Sequence, residues 1–370
     1  MQELFFELIQ VSLGKCHCLS HTPNAEEWGG LYGMAMKHAI VGVCFAGVQK
    51  LQKRRQGPPQ ELYMAWLGMA AKIQQRNETV TRQCMELQTQ FLADGFRSCI
   101  LKGQGVARLY GVELCKLRQP GDIDIWIDGT WQEVMDYVNA RTPNREFDMK
   151  HTHYNVFKDT VVETHWRPTV SSNWFVNRKL TAYFEKERER QFGNRVLLSD
   201  NCEICAPTAD FQLVHAMLHI YGHFLYEGVG VRQMMDLYFV LLSFHGTEGG
   251  HRAANLNIDK ILKEFGLSRF AAAVMYVEHE VFGLPKEKGL CSVDEVLGKE
   301  LLGEIMSGGN LGQSASENRV NKETFVQRMK RRFKRRIRLI RFDTVSMLYA
   351  PIRKLQVLLW KQMVIKKYNL

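Results

Sequence analysis

Two aspartates, two residues apart inside an apolar run, constrain this chain more than any other feature. Gly121-Asp122-Ile123-Asp124-Ile125-Trp126-Ile127 is rich in β-branched and aromatic residues, the composition of a strand. Side chains on a strand alternate faces, so Asp122 and Asp124 point the same way. Two like charges held side by side repel unless a cation sits between them. Paired carboxylates offer hard oxygen ligands suited to Mg²⁺ or Mn²⁺. The plainer alternative is a solvent-exposed polar face on an edge strand.

The surroundings favour the metal. Upstream, Cys99-Ile100-Leu101-Lys102-Gly103-Gln104-Gly105 is a short apolar run that breaks into a glycine turn, and Val106 to Tyr110 has helical character. A strand, a glycine turn and a helix N-terminus together make a phosphate-binding arrangement, with free N–H groups and the helix dipole facing the anion. Glycine lets the backbone come close. Lys102 and Arg118 add positive charge on either side. Such a turn often does no more than connect two elements; here Arg118-x-x-Gly121-Asp122-Ile123-Asp124 follows it.

Phosphoryl or nucleotidyl transfer with two metals needs a third acid. Tyr154-Asn155-Val156-Phe157 and Thr160 to Trp166 read as two strands joined by a tight turn at Lys158-Asp159. Glu163 and His165 then share one face of the second strand, which makes Glu163 the candidate. A surface hairpin with an exposed glutamate is the alternative.

Leu101-Lys102-Gly103, Leu109-Tyr110, Arg118-x-x-Gly121-Asp122-Ile123-Asp124 and Glu163-Thr164-His165-Trp166 together resemble the nucleotidyltransferase superfamily of the DNA polymerase β type. They are most similar to its uncharacterised prokaryotic branch. The resemblance spans roughly residues 1–305, with its motifs confined to 100–166 and 211–240. It implies an α+β fold, a small mixed-sheet nucleotidyltransferase core flanked by helical regions. It also implies a Mg²⁺- or Mn²⁺-dependent enzyme. By the same resemblance Asp122, Asp124 and Glu163 bind the metals and are catalytic. Lys102, Gly103, Gly105, Arg118 and Gly121 bind the nucleotide. The chain departs from the superfamily in having Gln104 after Gly103, where serine is usual. A long spacing separates Gly103 from Asp122, and the third acid is Glu rather than Asp.

The length of 370 residues suggests two to three domains, and 45% apolar content with 11% aromatics can fill proper cores. Four parts are expected. Residues 1–95 form a helical region broken at Gly57-Pro58-Pro59, with longer helices over 28–54 and 60–94. In the second of these, Leu62, Trp66, Met69 and Ile73 share one face. Residues 96–200 form the catalytic core, 201–305 a helical domain closing the cleft, and 306–370 a linker and a basic helix. The opening Met1 to Glu7 lacks a basic leader, so no signal peptide is expected. The longest uncharged apolar run, Ala39 to Val48, is too short to span a bilayer. Nine scattered cysteines, with Cys202-x-x-Cys205 standing alone, point to free thiols in a reducing cytoplasm rather than to zinc.

His215, His219 and His223 repeat every four residues along one helical face. They read as structural or nucleotide-pocket histidines, with a zinc site as the alternative. Arg232 and Asp236 stand four apart after the turn Gly228-Val229-Gly230. They form either a helix salt bridge or, as a similar family pattern implies, the cleft wall opposite the aspartates. His165 and His219 are further cleft-lining candidates.

Between Arg328 and Arg341 lie nine positive charges and no acid, close to the whole net charge of +10. Phe325, Met329, Phe333, Ile337 and Ile340 form an apolar stripe at helical spacing. The segment 325–341 suits an anionic membrane surface or RNA, or docks on its own protein by the stripe. The expected activity is NMP transfer from an NTP, ATP foremost, to a hydroxyl acceptor with release of pyrophosphate. The alternative is a non-catalytic nucleotide- or partner-binding module anchored by the basic helix.

Overall fold

The computed structural model describes residues 1–142, 146–171, 173–199, 202–246, 258–308 and 339–368. Four helices come first: α1 (Gln2–Ser12), α2 (Ala25–Lys37), α3 (Val41–Gln52) and α4 (Gln60–Ala93). Next come β1 (Ser98–Ile100), the short α5 (Gln104–Ala107) and α6 (Gly111–Leu114), β2 (Ile123–Ile127), α7 (Trp131–Arg141), β3 (His151–His153) and β4 (Val162–His165). Then follow α8 (Trp174–Phe192), the hairpin β5 (Arg195–Ser199) and β6 (Cys202–Cys205), α9 (Ala209–Tyr226) and α10 (Val231–His245). The last elements are α11 (Ile258–Glu264), α12 (Ser268–Phe282), α13 (Glu295–Gly308) and α14 (Thr344–Tyr368). This is a mixed α+β fold with a small mixed sheet.

The sheet has the order β1-β2-β4-β3. β1 and β3 run antiparallel to their neighbours, and β2 and β4 run parallel to each other. β2 is therefore central, and all five of its residues are buried. The exposed edge strand, the plainer alternative for the aspartate run, is excluded. Strand alternation explains the two-sided burial. Ile123, Ile125 and Ile127 pack with Val80, Cys84, Leu87 and Phe91 of α4 and Val134 and Val138 of α7. On the other face Trp126 sits among Phe184, Phe192 and Phe211 of α8 and α9, with ring centroids 4.6–6.4 Å away. Asp124 shares the Trp126 face, so a carboxylate stands beside an aromatic core, where it needs compensating partners.

One apolar cluster runs from α1–α3 and the first half of α4 through α9, α10, α12 and α13. Trp66 of α4 is fully buried and donates its Nε1–H to the Val41 carbonyl at 2.9 Å. Leu62 and Met69 are partly buried beside it, as the helical spacing predicts.

Three expectations need correction. The helix expected over 28–54 is two helices, because the chain turns at His38–Ile40, where Ala39 takes the left-handed region at φ 56°. No glycine or proline marks that turn. The hairpin expected from Tyr154–Phe157 pairs differently: His151–His153 supplies the strand, with His151 opposite His165 and His153 opposite Glu163. Tyr154 still donates its N–H to Val162, but Val156 N–H then turns back onto the Tyr154 carbonyl at 2.8 Å, which ends the extended run. The polar linker is helical as far as Gly308. The rest of it, and the basic segment 325–341 up to Arg338, lies outside the described residues.

α14 buries Val364 and stacks Trp360 against Trp131, Phe147 and Trp166, with centroids 5.8–6.0 Å apart. Among the described residues no helix is long and apolar enough to cross a membrane.

Candidate functional site

β1 runs out at Ile100, and Leu101 still donates its N–H to the Asp124 carbonyl at 2.9 Å, so Lys102 emerges beside Asp124. Gly103 follows at φ 64°, a left-handed conformation that favours glycine. A Cβ on Gly105 would lie 2.9 Å from the Ile100 carbonyl oxygen, so only glycine lets the turn fold back on β1. The segment after this turn is helical, as a single α-turn over Gln104–Ala107 followed by a 3₁₀ turn over Arg108–Tyr110. So few aligned peptides carry little macrodipole, and side-chain charge must do most of the anion attraction.

The parallel pairing of β2 and β4 sets Asp124 opposite Glu163. Carboxylate oxygens of Asp122, Asp124 and Glu163 all lie within 4.8 Å of one another. Asp122 precedes β2 by one residue, and the two aspartates do converge. Lys102 Nζ is 3.0 Å from Asp124 Oδ1, and His165 Nε2 is 3.1 Å from the same oxygen. His165 Nε2 also stands 3.3 Å from Glu163 Oε2. Burial works against the charge of Asp124, but Lys102 and then His165 overcome it and hold this carboxyl well below the usual carboxylate range. Burial likewise opposes the charge of Lys102; Asp124 first, then Asp122 and Glu163, lift it above an ordinary lysine. His165 is raised in the same way, its bonds to Asp124 and Glu163 outweighing burial.

Asp124 Oδ2 is buried and has no hydrogen-bond donor. An orphaned carboxylate oxygen at the convergence of three acids is a donor of the type a divalent cation takes. The donor set therefore fits the metal that the sequence suggests.

Beside the acids lies a cleft between the glycine turn and helices α9 and α10. Lys102, Gly103, Arg118, Gly121, Asp122, Gln212, His215, His219, His223, Arg232 and Asp236 all line it. The three histidines follow one another along one face of α9, His215 stacked on His219 with ring centroids 6.1 Å apart and His219 edge-on to His223 at 4.3 Å. Burial, then the nearby charge of Lys102, pushes His215 down to about 3 and His219 well below an ordinary histidine. Lys102 Nζ lies 3.4 Å from His219 Nε2. A neutral imidazole can accept there, and no three-histidine metal cluster exists among the described residues.

Of the two alternatives for Arg232 and Asp236, the helix salt bridge does not form, and both residues line the cleft. Asp236 is taken by Arg118, whose Nε and Nη2 donate to its two oxygens at 2.6 and 2.7 Å, and by the Tyr110 hydroxyl at 2.6 Å. The bidentate pair with Arg118 uses both oxygens of the Asp236 carboxylate. Arg232 instead donates Nη1 to the Gln119 carbonyl at 3.2 Å and lies 3.4 Å from where a Cβ on Gly121 would stand. Its Nε has no partner, and among the described residues no carboxylate lies within ion-pair distance. Arg118 is thus neutralised, whereas Arg232 keeps its charge available to the cleft.

The sequence matches the family described as "Uncharacterised nucleotidyltransferase" over residues 24–283. The chain belongs to that family. Searches of curated proteins and of solved structures gave no match. Membership in this nucleotidyltransferase family agrees with the acids, the lysine turn and the cleft in one place.

Two polar residues of the family member escaped the sequence reading. His151 lies opposite His165 and joins Glu163 and His165 in a second group of ligand atoms within 4.8 Å. The alternation His151-Thr152-His153 was the available signal, and the misplaced hairpin hid it. Gln212 is buried at the cleft with neither amide atom hydrogen-bonded. Nothing in the helical pattern of α9 distinguishes it from a core position.

Proposed function

We propose that the protein moves an NMP from an NTP, ATP foremost, to a hydroxyl acceptor and releases pyrophosphate. The observation that carries this is the convergence of Asp122, Asp124 and Glu163 beside a cleft holding the uncompensated Arg232. Asp122, Asp124 and Glu163 would hold Mg²⁺ or Mn²⁺, which when bound neutralises charge at the reacting phosphate and pyrophosphate oxygens. Lys102, Arg232 and the amides of the Gly103–Gly105 turn hold the phosphates. Arg118, clamped by Asp236, which Tyr110 holds in turn, braces the segment that carries Gly121 and Asp122. The acceptor oxygen bonds to the α-phosphorus while the bond to pyrophosphate breaks, and its electron pair leaves with pyrophosphate. Glu163 takes the acceptor proton.

Asp124 also neutralises Lys102 and His165, so removing it costs stability as well as function. Asp122→Asn is therefore the cleaner test. It should keep the far-UV circular dichroism spectrum and weaken Mg²⁺-dependent ATP binding by about tenfold or more, or ~1.4 kcal/mol, in a calorimetric titration. Equal affinity of variant and parent would sink the reading.

A second reading has its own support. Lys102 and His165 already compensate Asp124, as in a module that binds nucleotide or a partner without turnover. Incubation with each labelled NTP and Mg²⁺ separates the two. Released pyrophosphate or transferred label supports the enzyme; tight binding without either supports the module.

A further inference from the structure

Three strands present ring nitrogens and carboxylate oxygens to one region. His151 on β3 faces His165 on β4, and Asp124 on β2 faces Glu163. Directly paired residues lie on the same face of a sheet. Glu163 therefore stands between an oxygen-rich side, Asp122 and Asp124, and a nitrogen-rich side, His151 and His165. His151 Nδ1 is 3.2 Å and His165 Nε2 3.3 Å from Glu163 Oε2.

His151 Nδ1 is buried and makes no hydrogen bond, although that oxygen is within range. The direction, not the distance, is wrong for a proton shared with Glu163. A buried ring nitrogen without a proton partner, beside a carboxylate and a second imidazole, is what a metal-ligand set requires. The other ring nitrogen of His165, Nδ1, lies 3.4 Å from the Arg167 carbonyl oxygen. Outer partners of this type orient ligating imidazoles. His153 Nε2, at 3.8 Å from Glu163 Oε1, stands outside the trio.

We propose that His151, Glu163 and His165 form a site for a first-row transition-metal dication, next to the three-acid site and sharing Glu163 with it. Two imidazoles and a carboxylate suit Zn²⁺, Co²⁺, Fe²⁺ or Mn²⁺, whereas Mg²⁺ prefers oxygen ligands and retained water. Three protein ligands leave positions open for water or a substrate oxygen. The proposal rests on the nucleotidyl-transfer reading only in giving Glu163 two metal neighbours, and nucleotide is not needed to test it.

Metal-stripped full-length protein titrated with Co²⁺ in the presence of excess Mg²⁺ should develop visible d–d absorption that saturates at one equivalent and that Zn²⁺ displaces. His151→Gln and His165→Gln should each weaken Co²⁺ binding at least about tenfold, since losing a ligand costs no less than losing an outer partner. Asp122→Asn should keep the Co²⁺ spectrum, and its ATP affinity judges the other reading separately. Absorption unchanged in both histidine variants, or absent from the parent, overturns the proposal. Histidine-labelled NMR of the parent avoids any variant that fails to fold. Zn²⁺ should shift two histidine spin systems, and a spectrum with none shifted also overturns it.

Discussion

At the scale of single residues, buried charge separates the site from the scaffold. Asp124 is buried and ionised because Lys102 and His165 stand against it. Glu278 in α12 is fully buried with neither oxygen hydrogen-bonded, and burial alone raises its pKa well above the ordinary 4.5. The native state therefore keeps Glu278 protonated over a range in which the unfolded chain has lost the proton. Stability is fully present below the ordinary value and falls as pH rises toward the raised one. Glu278→Met, close in volume and without a proton, should remove that decline and raise stability at neutral pH. The gain is about 1.4 kcal/mol for each pH unit by which the solution lies above the ordinary value, until the raised pKa is reached. Urea unfolding of parent and variant from pH 4 to pH 8 measures it, and parallel curves would refute it. Legibility in the sequence divides along the same line. The Asp122/Asp124 pair was visible because two acids interrupt an apolar strand at its period. Arg118 was visible as a cation, but its capture by Asp236 was not, because that pairing spans more than a hundred residues.

At the scale of elements, α4 sets the geometry of the cleft by polar contacts that helical periodicity conceals. Asn77, buried in mid-helix, donates both amide hydrogens, to the Lys116 and Arg118 carbonyls, at 2.7 Å each. Gln104 reaches the Thr81 hydroxyl at 2.7 Å, tying the glycine turn to the same helix. Asn77→Ala leaves two carbonyls without donors and should cost about 1–3 kcal/mol in unfolding free energy. It should also loosen Arg118, so ATP affinity should fall with stability. Lost stability with unchanged affinity would show that α4 supports the fold alone. The strand that bears Glu163 was legible from its β-branched residues. Its partner was not, because Tyr154–Phe157 is the more apolar segment, whereas His151–His153 wins by pairing on the face that packs with the acids. The break between α2 and α3 was hidden for a related reason: Ala39 carries no turn chemistry, and packing around it selects its backbone.

At the scale of the whole molecule, helices from both ends of the sequence share one core with the sheet. Four parts are readable along the sequence, but the first and third bury their faces against each other. α14 adds a further seam by covering Trp131, Phe147 and Trp166 with Trp360. Removing everything after residue 320 would therefore strip α14 from the fold as well as the charge. Replacing Arg331, Arg332, Arg335 and Arg336 with Glu keeps α14 and isolates the basic segment. That variant should lose most binding to anionic vesicles and to RNA at low salt, in co-sedimentation and filter binding, and unchanged binding to both would assign the segment no polyanion. The parallel pairing of β2 with β4 has a consequence in time. Parallel neighbours cannot be joined by a tight turn, so α7 and β3 intervene between Asp124 and Glu163. A nascent chain grown only as far as Asp148 already contains both aspartates and their lysine but neither the histidines nor the third acid. Closing that long loop costs entropy before any ligand atom meets its neighbour. During synthesis the three acids therefore meet only after the sheet has been assembled out of sequence order, and any ion arriving earlier would find a bare pair of carboxylates.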